Sequence, residues 1–355
     1  MTDNNTSNTP APKKRKTILW IVLGAIASVL IVGVVIGSDQ YRYRFSAAVA
    51  EEGYLYVPSG ADLNEVMDSL TGHGFLAKPE RFRHYAGQKN LDERLKAGRY
   101  KLTDGMSYRA LINRLVIGDQ APVNLTFNNI RTLDRLAAAA SRYIEADSVE
   151  LVSALTNRTN AEKYGFTPET FIGMFIPNTY QFYWNTSAEG FMERMKSEYD
   201  RFWTAERDAK REKLGLSRDE VSTLASIVAE ETVKADEMPR VAGVYINRLK
   251  INMPLQADPT VKFAVGDFTL RRILFKHLEV DSPYNTYKYS GLPPGPICVP
   301  PIRAIDAVLD HEDHSYLYFC AKEDFSGYHN FARTLAEHNR NARIYQDALN
   351  RRGIR

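Results

Sequence analysis

Apolar residues are spaced in three ways along the chain, and each spacing predicts a different kind of element. From Ile18 to Gly37, twenty positions rich in Ile, Val and Leu pass without a charge. As a helix rising about 1.5 Å per residue, that run matches the roughly 30 Å hydrocarbon core of a bilayer. Trp20 lies at one end, and Tyr41, Tyr43 and Phe45 follow the other, where interfacial aromatics are expected. Four Lys/Arg precede the run, while only Arg42 and Arg44 follow closely. That bias predicts a cytoplasmic N-terminus and a body on the far side of the membrane. A cleaved signal peptide is the rival, with Ala48-Val49-Ala50 as its processing site. The run is too long for a signal core, and the triplet lies well past its end. The pattern therefore predicts a polar tail over 1–16 and a retained transmembrane helix over 17–37.

The second spacing, over 51–118, switches between strand and helix. Tyr54-Leu-Tyr-Val-Pro-Ser-Gly60 predicts a short strand entering a glycine turn, and Leu63, Val66, Met67 and Leu70 follow at helical intervals. Arg99-Tyr-Lys-Leu-Thr-Asp-Gly105 repeats the strand and turn, and Tyr108, Leu111, Ile112 and Leu115 repeat the helix. Another helical piece, Pro79 to Gly87, lies between the copies. Such a unit holds together when its strands pair and its helices cover one face. A plain adaptor and a sugar-polymer-binding module both fit it.

The third spacing, over 123–352, is mainly helical. Gly, Asp and Pro cluster near Gly118–Val123 and mark the boundary. Val123 to Phe127 predicts a strand, Leu133 to Tyr143 a helix, Ala188 to Gly215 one long helix with a solvated charged face, Ser315 to Cys320 a strand and Thr334 to Arg351 a terminal helix. Ile172 to Trp184 is dense in aromatics, which suit a core or a sugar-stacking surface. Gly291-Leu-Pro-Pro-Gly-Pro-Ile297 predicts a stiff loop, either a structural corner or the wall of a site. The fold class is α+β: one N-terminal transmembrane helix, a small α/β module and a larger α+β domain.

The centre of the large domain is Leu224-Ala-Ser-Ile-Val-Ala-Glu-Glu-Thr232, an apolar helical run that ends in two acids. Ser217-x-x-Glu220 is a capping box that starts the helix. At about 100° per residue, Leu224, Ile227 and Val228 form one apolar arc with Glu231 in its middle. Glu230 turns away beside Thr223 and Ser226 and is expected in solvent. Glu231 is expected to face the core or a cleft in it. A carboxylate among apolar groups has a raised pKa, and such an acid can hold a proton near neutrality and donate it. The structural alternative is a buried ion pair between Glu231 and Arg240 or Arg248.

Composition narrows the classes. One Asp and four Lys/Arg within residues 1–37 account for the whole formal net charge of +3. The remaining body is neutral and offers no case for nucleic acid. Cys298 and Cys320 are the two cysteines, readable either as a pair or as isolated thiols. His311 and His314 make an H-x-x-H without further apparent ligands, so a solvated turn is expected rather than a metal site. No cofactor is implied.

Several stretches together resemble the endolytic murein transglycosylase (MltG, YceG-like) family. They are Ala225-Ser-Ile-Val-Ala-Glu-Glu-Thr232, Val244-Tyr-Ile-Asn-Arg248, Leu255-Gln-Ala-Asp-Pro-Thr-Val261, Tyr284-Asn-Thr-Tyr287, Gly291-Leu-Pro-Pro-Gly-Pro-Ile297, Tyr316-Leu-Tyr-Phe319 and His338-Asn339. The resemblance implies a LysM-like module over 51–118 and a YceG-like catalytic domain over 123–352. It implies that the enzyme sits outside the inner membrane and cuts peptidoglycan glycan strands beside penicillin-binding synthases, ending strand elongation. The family's catalytic glutamate falls on Glu231. Candidates for holding the sugar are Asn247, Gln256, Asp258, Thr260, Tyr284 and Asn285. Where members carry an acid two positions before the catalytic one, this chain has Ala229. The Phe-Pro-Asp-Thr-Tyr of many members is here Ile176-Pro-Asn-Thr-Tyr180, and their Asn-Pro after Pro-Ile is here Cys298-Val-Pro-Pro301. Two alternatives stay open: a hydrolytic muramidase in which Asp258 activates water, and a non-catalytic peptidoglycan-binding scaffold, which a solvent-exposed Glu231 would favour.

Overall fold

The computed structural model describes residues 14–353 except residue 271. The expected tail therefore lies largely outside the described residues. The chain divides between Ala121 and Pro122 into two units, each with its own hydrophobic core.

The first unit begins with one continuous helix, α1 (Lys14–Phe45). Within Thr17–Phe45 lies a window of mean hydropathy 2.9 with none of its residues buried, long and apolar enough to cross a membrane. The helix does not stop at Gly37. Tyr43, read from the sequence as an interfacial aromatic, is buried with its ring 5.3 Å from that of Tyr85, and the Tyr85 hydroxyl donates to Asp39 Oδ1 at 2.9 Å. The last turns of α1 thus belong to a globular core. After it come β1 (Gly53–Val57), α2 (Leu63–Gly72), α3 (Pro79–Gln88), α4 (Leu91–Arg94), β2 (Gly98–Leu102) and α5 (Tyr108–Ile117). The strands pair antiparallel, Gly53 opposite Leu102. Asp62 and Glu65 close a capping box on α2, and Gly118 ends α5 at φ 79°, a left-handed conformation that glycine adopts without cost.

The second unit contains β3 (Val123–Phe127), α6 (Leu133–Ala140), α7 (Ser148–Thr156), α8 (Arg158–Lys163), β4 (Asn178–Phe182), α9 (Ala188–Phe202), α10 (Ala205–Leu214), α11 (Arg218–Glu231), α12 (Met238–Lys250), α13 (Asp258–Val265), α14 (Phe275–Leu278), α15 (Ile302–Leu309), β5 (Tyr318–Ala321), β6 (His329–Ala332) and α16 (Leu335–Arg351). β3 pairs with β4 and β5 with β6, both antiparallel. Sequence spacing does not reveal β4 or β6 as strands. Most of the aromatic stretch that contains β4 is core: Phe175, Tyr180 and Phe182 are buried, and the Tyr180 hydroxyl donates to the Ile176 carbonyl at 2.6 Å, while Tyr183 is exposed.

The expected long helix over 188–215 is two helices. Trp203 is buried at the break, and Thr204 caps α10 by accepting from the Arg207 N–H. Its charged face is partly used inside the unit, since Arg211 and Arg218 both donate to Asp208, and Arg207 pairs with Asp306. The His-Glu-Asp-His turn is only partly solvated: Asp313 is exposed, while His314 is half-buried against α12. His314 Nε2 lies 2.9 Å from the Arg240 carbonyl, and Glu312 N–H donates to the Pro239 carbonyl. Gly243 permits this approach: a Cβ there would stand 2.6 Å from both the Glu312 carbonyl oxygen and His314 Nε2.

At the centre lies α11, started by the Ser217–Glu220 capping box. Every residue from Val221 to Val228 is buried, including Ser222, Thr223 and Ser226. The polar side expected in solvent is therefore covered; the Thr223 and Ser226 hydroxyls bond to backbone, while Ser222 Oγ has no hydrogen-bond partner among the described residues. Ser226 Oγ donates to the Thr223 carbonyl and accepts from the Ile297 N–H at 3.0 Å. The Pro/Gly loop packs on that side as a structural corner. Gly295 is required there, because a Cβ would stand 2.1 Å from the Glu169 carbonyl oxygen. Cys298 is buried beside Ser226, and both cysteines are free thiols.

Candidate active site

The last turn of α11 carries its two acids to the wall of a cleft of about 940 Å³. α13 adds Asp258, Pro259 and Lys262, the following segment adds Leu270, Arg272 and Ile273, and α16 adds Tyr345 and Gln346. Thr232 turns to extended backbone and stops the helix there.

Glu230 and Glu231 occupy different environments: Glu231 faces a cleft, as its place on the helix predicts, but Glu230 does not have the expected one. Glu230 is not in solvent: its carboxylate accepts from Arg131 Nη2 at 2.7 Å. Glu231 is half-buried, and among the described residues no cation pairs with it. Both candidate partners are engaged elsewhere. Arg240 Nε donates to Glu312 at 2.8 Å. Arg248 is buried and gives its guanidinium to backbone carbonyls, to Leu317 at 2.6 Å and Leu255 at 2.7 Å. The buried ion pair is therefore not formed.

The Glu231 carboxylate keeps one protein donor, the hydroxyl of Tyr245, at 2.9 Å from Oε1. Tyr245 is fully buried on α12, its ring set edge-on to Phe319 at 5.8 Å. Burial pushes the Tyr245 phenol up, so it stays protonated and donates. Burial likewise raises the Glu231 pKa, to about 7; the Tyr245 hydrogen bond opposes that, the charge of Asp258 adds to it and the charge of Arg248 opposes it. Glu231 thus holds a proton through much of the range in which an ordinary glutamate is ionised, and loses it within reach of neutral pH.

Of the six candidate sugar contacts, Asp258 lines the cleft with Glu231. It opens α13, and Tyr287 donates to its Oδ1 at 2.6 Å. Thr260 is buried, and its hydroxyl meets that of Thr286 at 2.8 Å, which in turn accepts from the Ala257 N–H. Asn285 is buried and donates to the Leu278 and Val280 carbonyls. These side chains hold the turn that presents Asp258. Gln256 is exposed at φ 51°, with its N–H on the Thr286 carbonyl. Tyr284 packs its ring 4.6 Å from that of Phe263. Asn247 faces the other way and donates to the His314 and Tyr316 carbonyls.

Two tyrosines at the acids were missed by sequence reasoning. Both lie inside quoted motifs, Tyr245 two residues before Asn247 and Tyr287 two after Asn285, but an apolar-faced tyrosine reads as core until its hydroxyl is located. Tyr345 and Gln346, which α16 brings to the cleft, carry no local signal, since the helical pattern around them is ordinary.

The sequence profile of the YceG-like family matches residues 55–344. The endolytic murein transglycosylase of Bacillus subtilis (strain 168) is 31% identical over 312 residues, covering 83% of this chain and 85% of that protein. The endolytic murein transglycosylase of Streptococcus pneumoniae serotype 2 is 28% identical over 316 residues, 80% of this chain and 57% of that longer protein. The crystal structure of a YceG-like protein from Listeria monocytogenes superimposes with a TM-score of 0.54 at 30% identity, over 82% of this chain and 99% of that one.

Proposed function

The chain belongs to the YceG-like family, and from that premise we propose that it is a membrane-anchored endolytic murein transglycosylase with Glu231 as its acid and base. The observation that carries the reading is a half-buried glutamate in a cleft, bonded to one phenolic donor and, among the described residues, in no ion pair, with its pKa raised to about 7. A carboxyl group in that state can donate a proton and take one back without a second carboxylate.

Glu231, protonated, gives its proton to the oxygen of the β-1,4 bond between N-acetylmuramic acid and N-acetylglucosamine as that bond to C1 breaks. The N-acetylglucosamine leaves with a free 4-hydroxyl. Glu231, now ionised, takes the proton from the C6 hydroxyl of the muramic sugar, and O6 closes on C1. The product is a 1,6-anhydro end, no water is consumed, and the glutamate is reset. Tyr245 holds Oε1, which leaves Oε2 to carry the proton. The helix α1 would place the cleft outside the cytoplasmic membrane, where nascent strands are made and could be ended.

A hydrolytic reading has one observation in its favour, the presence of Asp258 in the same cleft. The end group of the product separates the two. Mass spectrometry of peptidoglycan treated with the wild type is expected to give anhydro-ended fragments, and none with Glu231→Gln. Reducing ends would move the assignment to a muramidase with Asp258 as the base that activates water. A folded wild type that leaves peptidoglycan intact would favour a scaffold.

A further inference from the structure

Beside the cleft, on the far side of the Arg131–Glu230 pair, lies a second depression of about 370 Å³. Arg131, Arg135 and Arg142 line it, Ala138 and Ala139 form its floor, and Phe268 closes one side. The arrangement follows from helix geometry. Arg135 and Arg142 are seven residues apart and project on one face of α6 and its exit turn, with two alanines between them at the three- and four-residue intervals. Small side chains there leave the hollow open. The Arg131 guanidinium lies 5.3 Å from the Phe268 ring centre. Among the described residues, neither Arg135 nor Arg142 is in an ion pair. Arg131 is neutralised by Glu230, so the hollow keeps an excess of positive charge.

The two hollows share a wall. Arg131 lines one and Glu230 the other, and the segment after α13 gives Phe268 to the first and Leu270 and Arg272 to the second. The arginine hollow therefore adjoins the cleft in which Glu231 stands. The sugar on which Glu231 acts carries, on its lactyl group, a short peptide of alanine and acidic residues with free carboxylates. Arginine matches carboxylates with paired donors, and an alanine floor suits small apolar side chains.

We propose that this hollow is a subsite for the carboxylates of the stem peptide, so that the protein recognises peptide-bearing strands over bare glycan. This rests on the transglycosylase reading and adds to it a preference in substrate. It is tested by binding, without turnover. The protein is the full chain carrying Glu231→Gln, in detergent micelles. The ligands are murein oligosaccharides bearing stem peptides, the same glycans stripped of peptide, and stripped glycans with a diphosphate at the reducing end. Peptide-bearing glycan is expected to bind about five- to tenfold more tightly than stripped glycan, with the advantage shrinking as salt rises. Adding Arg135→Gln and Arg142→Gln should erase that advantage and leave the affinity for stripped glycan unchanged.

Equal affinity for the two glycans, or binding of neither, overturns the proposal. So does an arginine variant that weakens both alike. Recovery of the full advantage by the diphosphate alone would reassign the hollow to phosphate. Failure of the cleavage reading shows separately: a wild type that leaves no anhydro ends, beside a Gln variant that still prefers peptide-bearing strands, would sink the chemistry and keep the subsite.

Discussion

Two carboxylates flank the corner between α11 and α12, and the fold treats them in opposite ways. Glu237 is 3% exposed and fully partnered. Its Oε2 lies 2.7 Å from His329 Nδ1 and accepts from the Thr232 hydroxyl, and its Oε1 accepts the His329 N–H at 2.8 Å. Glu231, six residues earlier, has the Tyr245 hydroxyl and an open cleft. A buried acid that serves the fold is surrounded by donors until its charge is cheap. One that serves chemistry is left short of them, so that its charge stays costly and its proton mobile. Glu237 ties β6 to the end of α11 and so fixes the place from which Glu231 works.

The comparison is broken most directly through rate. Glu231→Gln keeps the shape and removes the titrating proton, and cleavage of peptidoglycan should fall by a factor on the order of 10²–10⁴ or more while the protein stays folded. Glu237→Gln in the same assay separates the roles. It should melt at lower temperature, with any loss of cleavage following the loss of folded protein. Removing the charged partner of His329 and of a backbone N–H should cost about 3 kcal/mol in thermal or denaturant unfolding. Full stability in Glu237→Gln with cleavage abolished would reverse the assignment.

A further consequence concerns pH. The folded-state pKa of Glu231 is about 7 against 4.5 for the free group, so the folded protein binds the extra proton. Its contribution is most favourable below pH 4.5 and is lost as pH rises through 7, reaching a cost on the order of 3 kcal/mol above that. Glu231→Gln removes the cost. The variant should therefore be more stable than the wild type at pH 8, with the gain fading toward pH 4.5. Melting curves at the two pH values check this. A gain of equal size at both would mean that packing, not ionisation, sets the difference.

How much of this can be read in the sequence depends on the range of the interaction. The capping box at Ser217, the helical runs of the first unit and the inward turn of Glu231 are local, set by spacing over a few residues. The fate of Glu230 is not local, because Arg131 reaches it from ninety-nine positions away. Nor is that of Arg248, a good candidate partner by position, whose donors are drawn off by carbonyls of Leu255 and Leu317. Serines and threonines on α11 look like a solvated face because periodicity records polarity, whereas Ser226 is polar for the sake of one backbone N–H in the Pro/Gly loop. Asn247, Thr260 and Asn285 stand in motifs that resemble a substrate site, and each gives its side chain to backbone or to a neighbouring hydroxyl.

The smallest expected effect is the sharpest test of the contrast, because it changes one donor and no charge. Tyr245 donates to Glu231 Oε1 and so stabilises the ionised form, lowering a pKa that burial raises. Tyr245→Phe keeps the ring against Phe319 and deletes that donor. The Glu231 pKa should then rise, and the alkaline limb of kcat/KM, which reports loss of the proton from the free enzyme, should move upward by about one pH unit. At pH 7 the rate should fall only modestly, since the acid is more fully protonated but less firmly oriented. A purely structural tyrosine would lower activity evenly at all pH values and leave the limb in place. A limb that moved down would mean that the phenol accepts from a protonated Glu231 rather than donating to its carboxylate, and the oxygen that carries the catalytic proton would then be Oε1.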